Sequence, residues 1–131
     1  VGKSASDVFN IVNNNNAGVY MSSSANSFTG TSDERLKKNV CDIEDKDLEN
    51  LQQLRPVSYK WKKQTDDTEH YGFIAQEVEK YLPNLVDENT CPDGSTYKGV
   101  AVDDLIPYMI KYIQKLKKKI AEKEKEMETW E

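Results

Sequence analysis

The chain has 131 residues and a net charge of −5, with 37% apolar and 31% charged residues. That length suits one domain of ordinary size with an appendage, and the acidic balance argues against nucleic acid as a partner, because phosphate neutralisation needs clustered Lys and Arg. His70 is the single histidine and Cys41 and Cys91 are the only cysteines, so a multi-histidine metal site, a disulfide framework and paired zinc-ligand spacing are all excluded.

No apolar run is long enough to span a bilayer, and no charged-then-apolar leader opens the chain. A soluble protein is expected, with no membrane partner, no metal and no cofactor. Starting at Val1 inside a Ser/Asn-rich tract, the sequence reads as part of something longer.

From Val1 to Thr31 the apolar residues come in bursts, Val8 to Val12 and Val19 to Met21, separated by Asn13-Asn14-Asn15-Asn16 and Gly18. Such bursts around an Asn/Gly turn predict the short strands of a hairpin or meander. They hold too little apolar area to fold alone. Residues 1–31 therefore read either as a disordered linker or, the better fit to the pattern, as the end of a β-structured fibre whose strands other copies complete.

At Ser32 the character changes. Lys3 and Asp7, the only charges before it, cancel, so the whole net charge lies downstream. Ser32, followed by Asp33 and Glu34 and then Lys37 and Lys38, has the charge order of a short serine-capped helix. A helix is expected from Asp45 or Asp47 through Leu48, Leu51 and Leu54, closed by Pro56. Val57, Tyr59 and Trp61 alternate with polar residues and predict a half-buried strand; Gln64 to Glu69 reads as a loop. Tyr71 to Pro83 reads as a strand that passes into a helix limited by Pro83. Further strands are expected at Leu85-Val86 and from Tyr97 to Val102, around the turn Pro92-Asp93-Gly94. The predicted fold class is α+β, a small mixed domain over residues 32–104 followed by a coiled-coil helix over 105–131.

That last tract carries Ile106, Met109, Ile113, Leu116, Ile120, Lys123, Met127 and Trp130, spaced alternately by three and four residues. This is an a/d seam of about four heptads, and it predicts self-association. Ile at a with Leu at d leans toward dimers, although one Leu fixes little. The basic run Lys115 to Lys119, followed by a Glu-rich run, reads as a solvated helix face. With the two ends set aside, only about 70 to 75 residues remain for the core, a size at which a partner or staple is expected.

Ser32 also sits near two lysines, the minimum inventory for serine nucleophile chemistry without histidine. Lysine acts as a base only when neutral, which burial or a neighbouring cation favours. On a helix, Ser32 and Lys37 would lie about 140 degrees apart and about 7.5 Å along the axis. A contact between them needs a non-helical turn or a lysine from another copy, so helix cap and dyad both stay open on spacing alone.

The ordered set Ser32-Asp33-Glu34-Arg35-Leu36-Lys37-Lys38-Asn39, Leu51, Leu54, Arg55-Pro56-Val57, Tyr59, Gly72-Phe73-Ile74-Ala75-Gln76-Glu77-Val78 and Pro83, with the terminal heptads, resembles the intramolecular chaperone domain of phage endosialidases and tailspikes. It is also similar to the self-cleaving domain of myelin-regulatory-factor transcription factors. The resemblance runs from Ser32 to Glu131 and leaves out residues 1–31.

The resemblance implies a homotrimeric chaperone whose folding client is the upstream fibre of the same chain, located in a virion tail fibre assembled in the host cytoplasm. It implies self-cleavage between Thr31 and Ser32, with Ser32 as nucleophile and Lys37 as general base. Asp33, Arg35, Asn39, Gly72, Gln76 and Glu77 take supporting roles, and Ile106, Met109, Ile113, Leu116, Ile120 and Met127 form the trimer seam. The alternatives are a non-cleaving trimeric attachment module, with Ser32 as a helix cap, and the release domain of a membrane-tethered transcription factor.

Overall fold

The computed structural model describes residues 7–130, with side chains from residue 10; the first six residues of the expected fibre segment and Glu131 lie outside them. The described residues form two compact units, one ending at Asp42 and the other beginning at Ile43.

In the first unit, β1 (Asp7–Val12) and β2 (Gly18–Ser22) form an antiparallel hairpin around the predicted Asn-rich turn. Asn13 closes that turn: its side chain accepts from the Asn15 and Ala17 N–H groups, and its own N–H donates to the Ala17 carbonyl. Asn16 takes φ 57°, the left-handed conformation that asparagine tolerates best among residues with a Cβ. A two-residue strand, β3 (Thr29–Gly30), adds to β2 with Val19 opposite Gly30 and Tyr20 opposite Thr29. Beyond it the chain makes one 3-10 turn at Glu34–Leu36.

The second unit is α+β, as the sequence pattern predicts. Its elements are α1 (Asp45–Leu51), β4 (Val57–Tyr59), β5 (His70–Gly72), α2 (Ala75–Tyr81), β6 (Val86–Thr90), β7 (Thr96–Val100) and α3 (Leu105–Glu128). β4 pairs with β5, and β6 with β7, both antiparallel. The β6–β7 turn closes through Gly94 at φ 85°, a conformation that costs glycine little. Pro83 ends α2 and opens a 3-10 turn that takes up Leu85, so β6 starts one residue later than expected. α1 stops at Leu51, short of Pro56, and Trp61 lies outside β4, 61% exposed.

The core is thin. Val78, Leu82, Leu85 and Leu105 form one buried cluster, with Leu51, Leu54, Phe73, Val86, Val100 and Tyr108 packed on it; Leu48 is buried at 1%. Lys98 on β7 donates two hydrogen bonds to the Glu79 carboxylate on α2, at 2.7 and 2.6 Å, pinning strand to helix over this cluster. His70 packs beside the paired rings of Tyr59 and Trp61, with centroids 5.6 and 6.1 Å away, a packing position.

α3 has two working faces. Leu105 and Tyr108 join the core, and Lys111, Tyr112 and Lys115 continue that face partly covered, with Lys115 3.7 Å from Asp45 on α1. Pro107 sits in the first turn, where its missing N–H has no intrahelical acceptor to lose. The heptad positions fall on another face: Ile106, Met109, Ile113 and Ile120 are between 51% and 60% exposed, Leu116 is 39% and Met127 is 72%. The apolar face that meets the domain is therefore not the heptad seam. Among the described residues, no helix is long and apolar enough to cross a membrane.

Candidate functional site

The turn after β3 brings Ser32 and Lys37 together. Asp33 precedes the 3-10 turn in extended conformation (φ −67°, ψ 132°), and Lys37 leaves it extended (φ −107°, ψ 147°). A single tight turn between two extended residues folds the chain back on itself, and the Lys37 Nζ donates to Ser32 Oγ at 2.6 Å. Five helical residues would have held these atoms apart. The expected serine cap is replaced: Asp33 caps the turn, its Oδ1 accepting from the Arg35 N–H at 2.9 Å, and the Ser32 hydroxyl is left to the lysine.

Arg35 closes on Asp33 a second time, through its guanidinium, with Nε to Oδ1 at 3.0 Å and Nη2 to Oδ2 at 2.9 Å. These side-chain bonds, and then the backbone bond, hold the Asp33 carboxyl below the usual carboxylate range. Asn39 follows at φ 55° and turns the chain away after the lysines. Asp33, Arg35 and Asn39 thus shape the backbone around the Ser32–Lys37 pair, while Ser32 and Lys37 are exposed in the single chain.

Upstream, Thr31 is tied to the start of β2. Its N–H donates to the Gly18 carbonyl at 2.8 Å, and its Oγ1 accepts from the Gly18 N–H at 3.3 Å. Spacing gave no hint of Gly18 beyond a turn signal, because thirteen residues separate it from Thr31 and the pairing exists only once β2 and β3 are laid together.

The Gly72 to Glu77 motif belongs to the second unit. Gly72 pairs with Val57 across β4–β5, and Gln76 is exposed on α2. Glu77 takes a two-pronged bond from Arg55, Nε to Oε1 and Nη2 to Oε2, each 3.0 Å, which ties α2 to the segment leading into β4. Arg55 holds the Glu77 carboxyl below its ordinary range. The Arg55-Pro56-Val57 and Gly72 to Glu77 motifs are therefore joined by an ion pair and a strand pair. Cys41 and Cys91 are free thiols, and among the described residues no group of three His, Cys, Asp or Glu side chains could hold a metal ion.

A serine hydroxyl within hydrogen-bond reach of an amine is the geometry of base-assisted nucleophilic attack, and the first carbonyl upstream of that hydroxyl belongs to Thr31. Residues 32–87 match the family model Peptidase_S74, described as chaperone of endosialidase. The match opens on Ser32 itself, supports a chaperone-type role, and carries the name of a peptidase family. A search of curated proteins returns no significant match.

Proposed function

We propose that the chain is a C-terminal intramolecular chaperone that assembles as a homotrimer, folds the β-structured fibre upstream of it, and then releases itself by cutting between Thr31 and Ser32. The observation that carries this reading is the 2.6 Å approach of Lys37 Nζ to Ser32 Oγ across a capped 3-10 turn. In the reaction, neutral Lys37 takes the hydroxyl proton as Oγ attacks the Thr31 carbonyl carbon. Collapse of the tetrahedral oxyanion expels the Ser32 nitrogen, which receives the proton, and leaves an ester between Thr31 and Ser32. Water then hydrolyses the ester to a Thr31 carboxylate and a free Ser32. Backbone N–H groups stabilise the oxyanion.

The homotrimer follows the motif resemblance, and the exposed heptad face of α3 supports assembly: Ile106, Met109, Ile113, Leu116, Ile120 and Met127 lie on a face that the domain does not cover. Assembly also answers the chemistry, since Lys37 is exposed in one chain and a lysine base is favoured by burial. Cutting after assembly leaves the fibre without its folding aid and thus kinetically trapped. A virion tail fibre built in the host cytoplasm is the setting this reading implies. The upstream hairpin favours a fibre over the DNA-binding domain that a transcription-factor release domain expects.

Denaturing electrophoresis of the wild type, Ser32→Ala and Lys37→Ala tests the proposal. Two fragments from the wild type and one intact chain from each variant support it. An intact wild type that sediments as a trimer overturns the catalytic part and leaves a non-cleaving assembly module.

A further inference from the structure

Gly18 is bound on both sides. On one side it is the first residue of β2, paired with Val12 at the end of β1, and a Cβ there would lie 1.8 Å from the Ile11 carbonyl oxygen, so only glycine fits. On the other side its carbonyl and N–H both engage Thr31, extending the β2–β3 ladder one residue beyond Gly30. Ser32 follows directly, and Asp33 is locked by the Arg35 backbone and guanidinium. The Thr31–Ser32 peptide therefore spans two fixed points, a strand end and a capped turn.

We infer that Gly18 is a positioning residue for the cut: the upstream hairpin holds the acyl side of the Thr31–Ser32 bond in front of Ser32 Oγ. This rests on the self-cleavage reading above and adds to it. Fixing the carbonyl against the nucleophile removes the freedom that makes attack improbable in an open chain, and small misplacements of such a carbonyl cost large factors in rate. The client strand then belongs to the cleavage apparatus. A chain whose β1–β2 hairpin has not closed has no Gly18 edge on which to seat Thr31, so trimerisation through α3 alone does not license the cut. The bond breaks where folding of the fibre end has been completed.

Three variants in the full chain test this. Gly18→Ala drives a Cβ into β1 and is expected to slow single-turnover cleavage about a hundredfold while α3 still assembles the chain. Thr31→Val keeps the β-branched shape but loses the acceptor for the Gly18 N–H, and should cleave about fivefold slower; Thr31→Ser keeps that acceptor and should stay within about twofold of wild type. The pH midpoint of cleavage should be the same in Thr31→Val as in wild type, because Ser32 and Lys37 are untouched, whereas damage spreading into the turn moves it. Wild-type rates in both Gly18→Ala and Thr31→Val, alongside a wild type that cleaves, overturn the positioning role and leave self-cleavage standing. A wild type that never cleaves overturns both.

Discussion

Lys37 Nζ meets Ser32 Oγ at 2.6 Å although they are five positions apart, because the chain between makes one 3-10 turn instead of a helix. The turn exists because the Asp33 carboxylate captures the Arg35 N–H and guanidinium. Local hydrogen bonding of this kind competes with helix formation, and here it decides which side chain the serine faces.

Asp33→Ala should therefore slow cleavage by about tenfold or more, by loosening the turn, while leaving the trimer intact. Arg35→Gln should act in the same direction more weakly, because the Asp33 cap to the Arg35 N–H survives. Cleavage time courses with sedimentation as the control check both.

The Asp33 and Glu77 carboxyls are both depressed by arginine partners. A folded pKa below the unfolded value contributes stability that is fully present above the unfolded pKa and is lost as pH falls through the folded one. Both pairs should hold at neutral pH and give way only in acid, below the ordinary carboxylate range. Carbon-detected NMR titration should find both midpoints low, and Arg35→Gln and Arg55→Gln should each raise the midpoint of its own partner only.

Much of this was legible in the sequence, and the misses share a cause. The α1, β4, α2 and α3 patterns announced themselves through period, and Pro83 marked the end of α2. The Ser32 stretch did not, since its charge order fits a capped helix equally well. The choice was made by a side chain, Asp33, one residue along. The Gly18–Thr31 pairing and the Arg55–Glu77 bond, which join residues 13 and 22 positions apart, are tertiary facts that no local period encodes.

α3 turns its heptad face away from its own domain, so Ile113→Glu should dissociate the assembly at micromolar concentration, each chain losing about 2 kcal/mol of apolar burial along with a charge left in the seam. Lys118→Glu, at the f position away from that seam, should leave the sedimentation coefficient unchanged. On the proposed reading, in which assembly buries Lys37, monomers of Ile113→Glu should also fail to cleave.

With so few buried residues, the second unit has little reserve. Leu48, 1% exposed, and Val78, 1% exposed, anchor α1 and α2. Leu48→Ala should cost about 2–5 kcal/mol and Val78→Ala somewhat less, read as falls in the urea midpoint.

The central claim is that Ser32, served by Lys37, cuts the bond before itself. Intact-mass and N-terminal analysis of the C-terminal fragment from freshly folded wild-type chain tests it most directly. The account predicts a fragment whose first residue is Ser32, absent from Lys37→Ala. A fragment that begins at any other residue, or one released equally by Lys37→Ala, contradicts it.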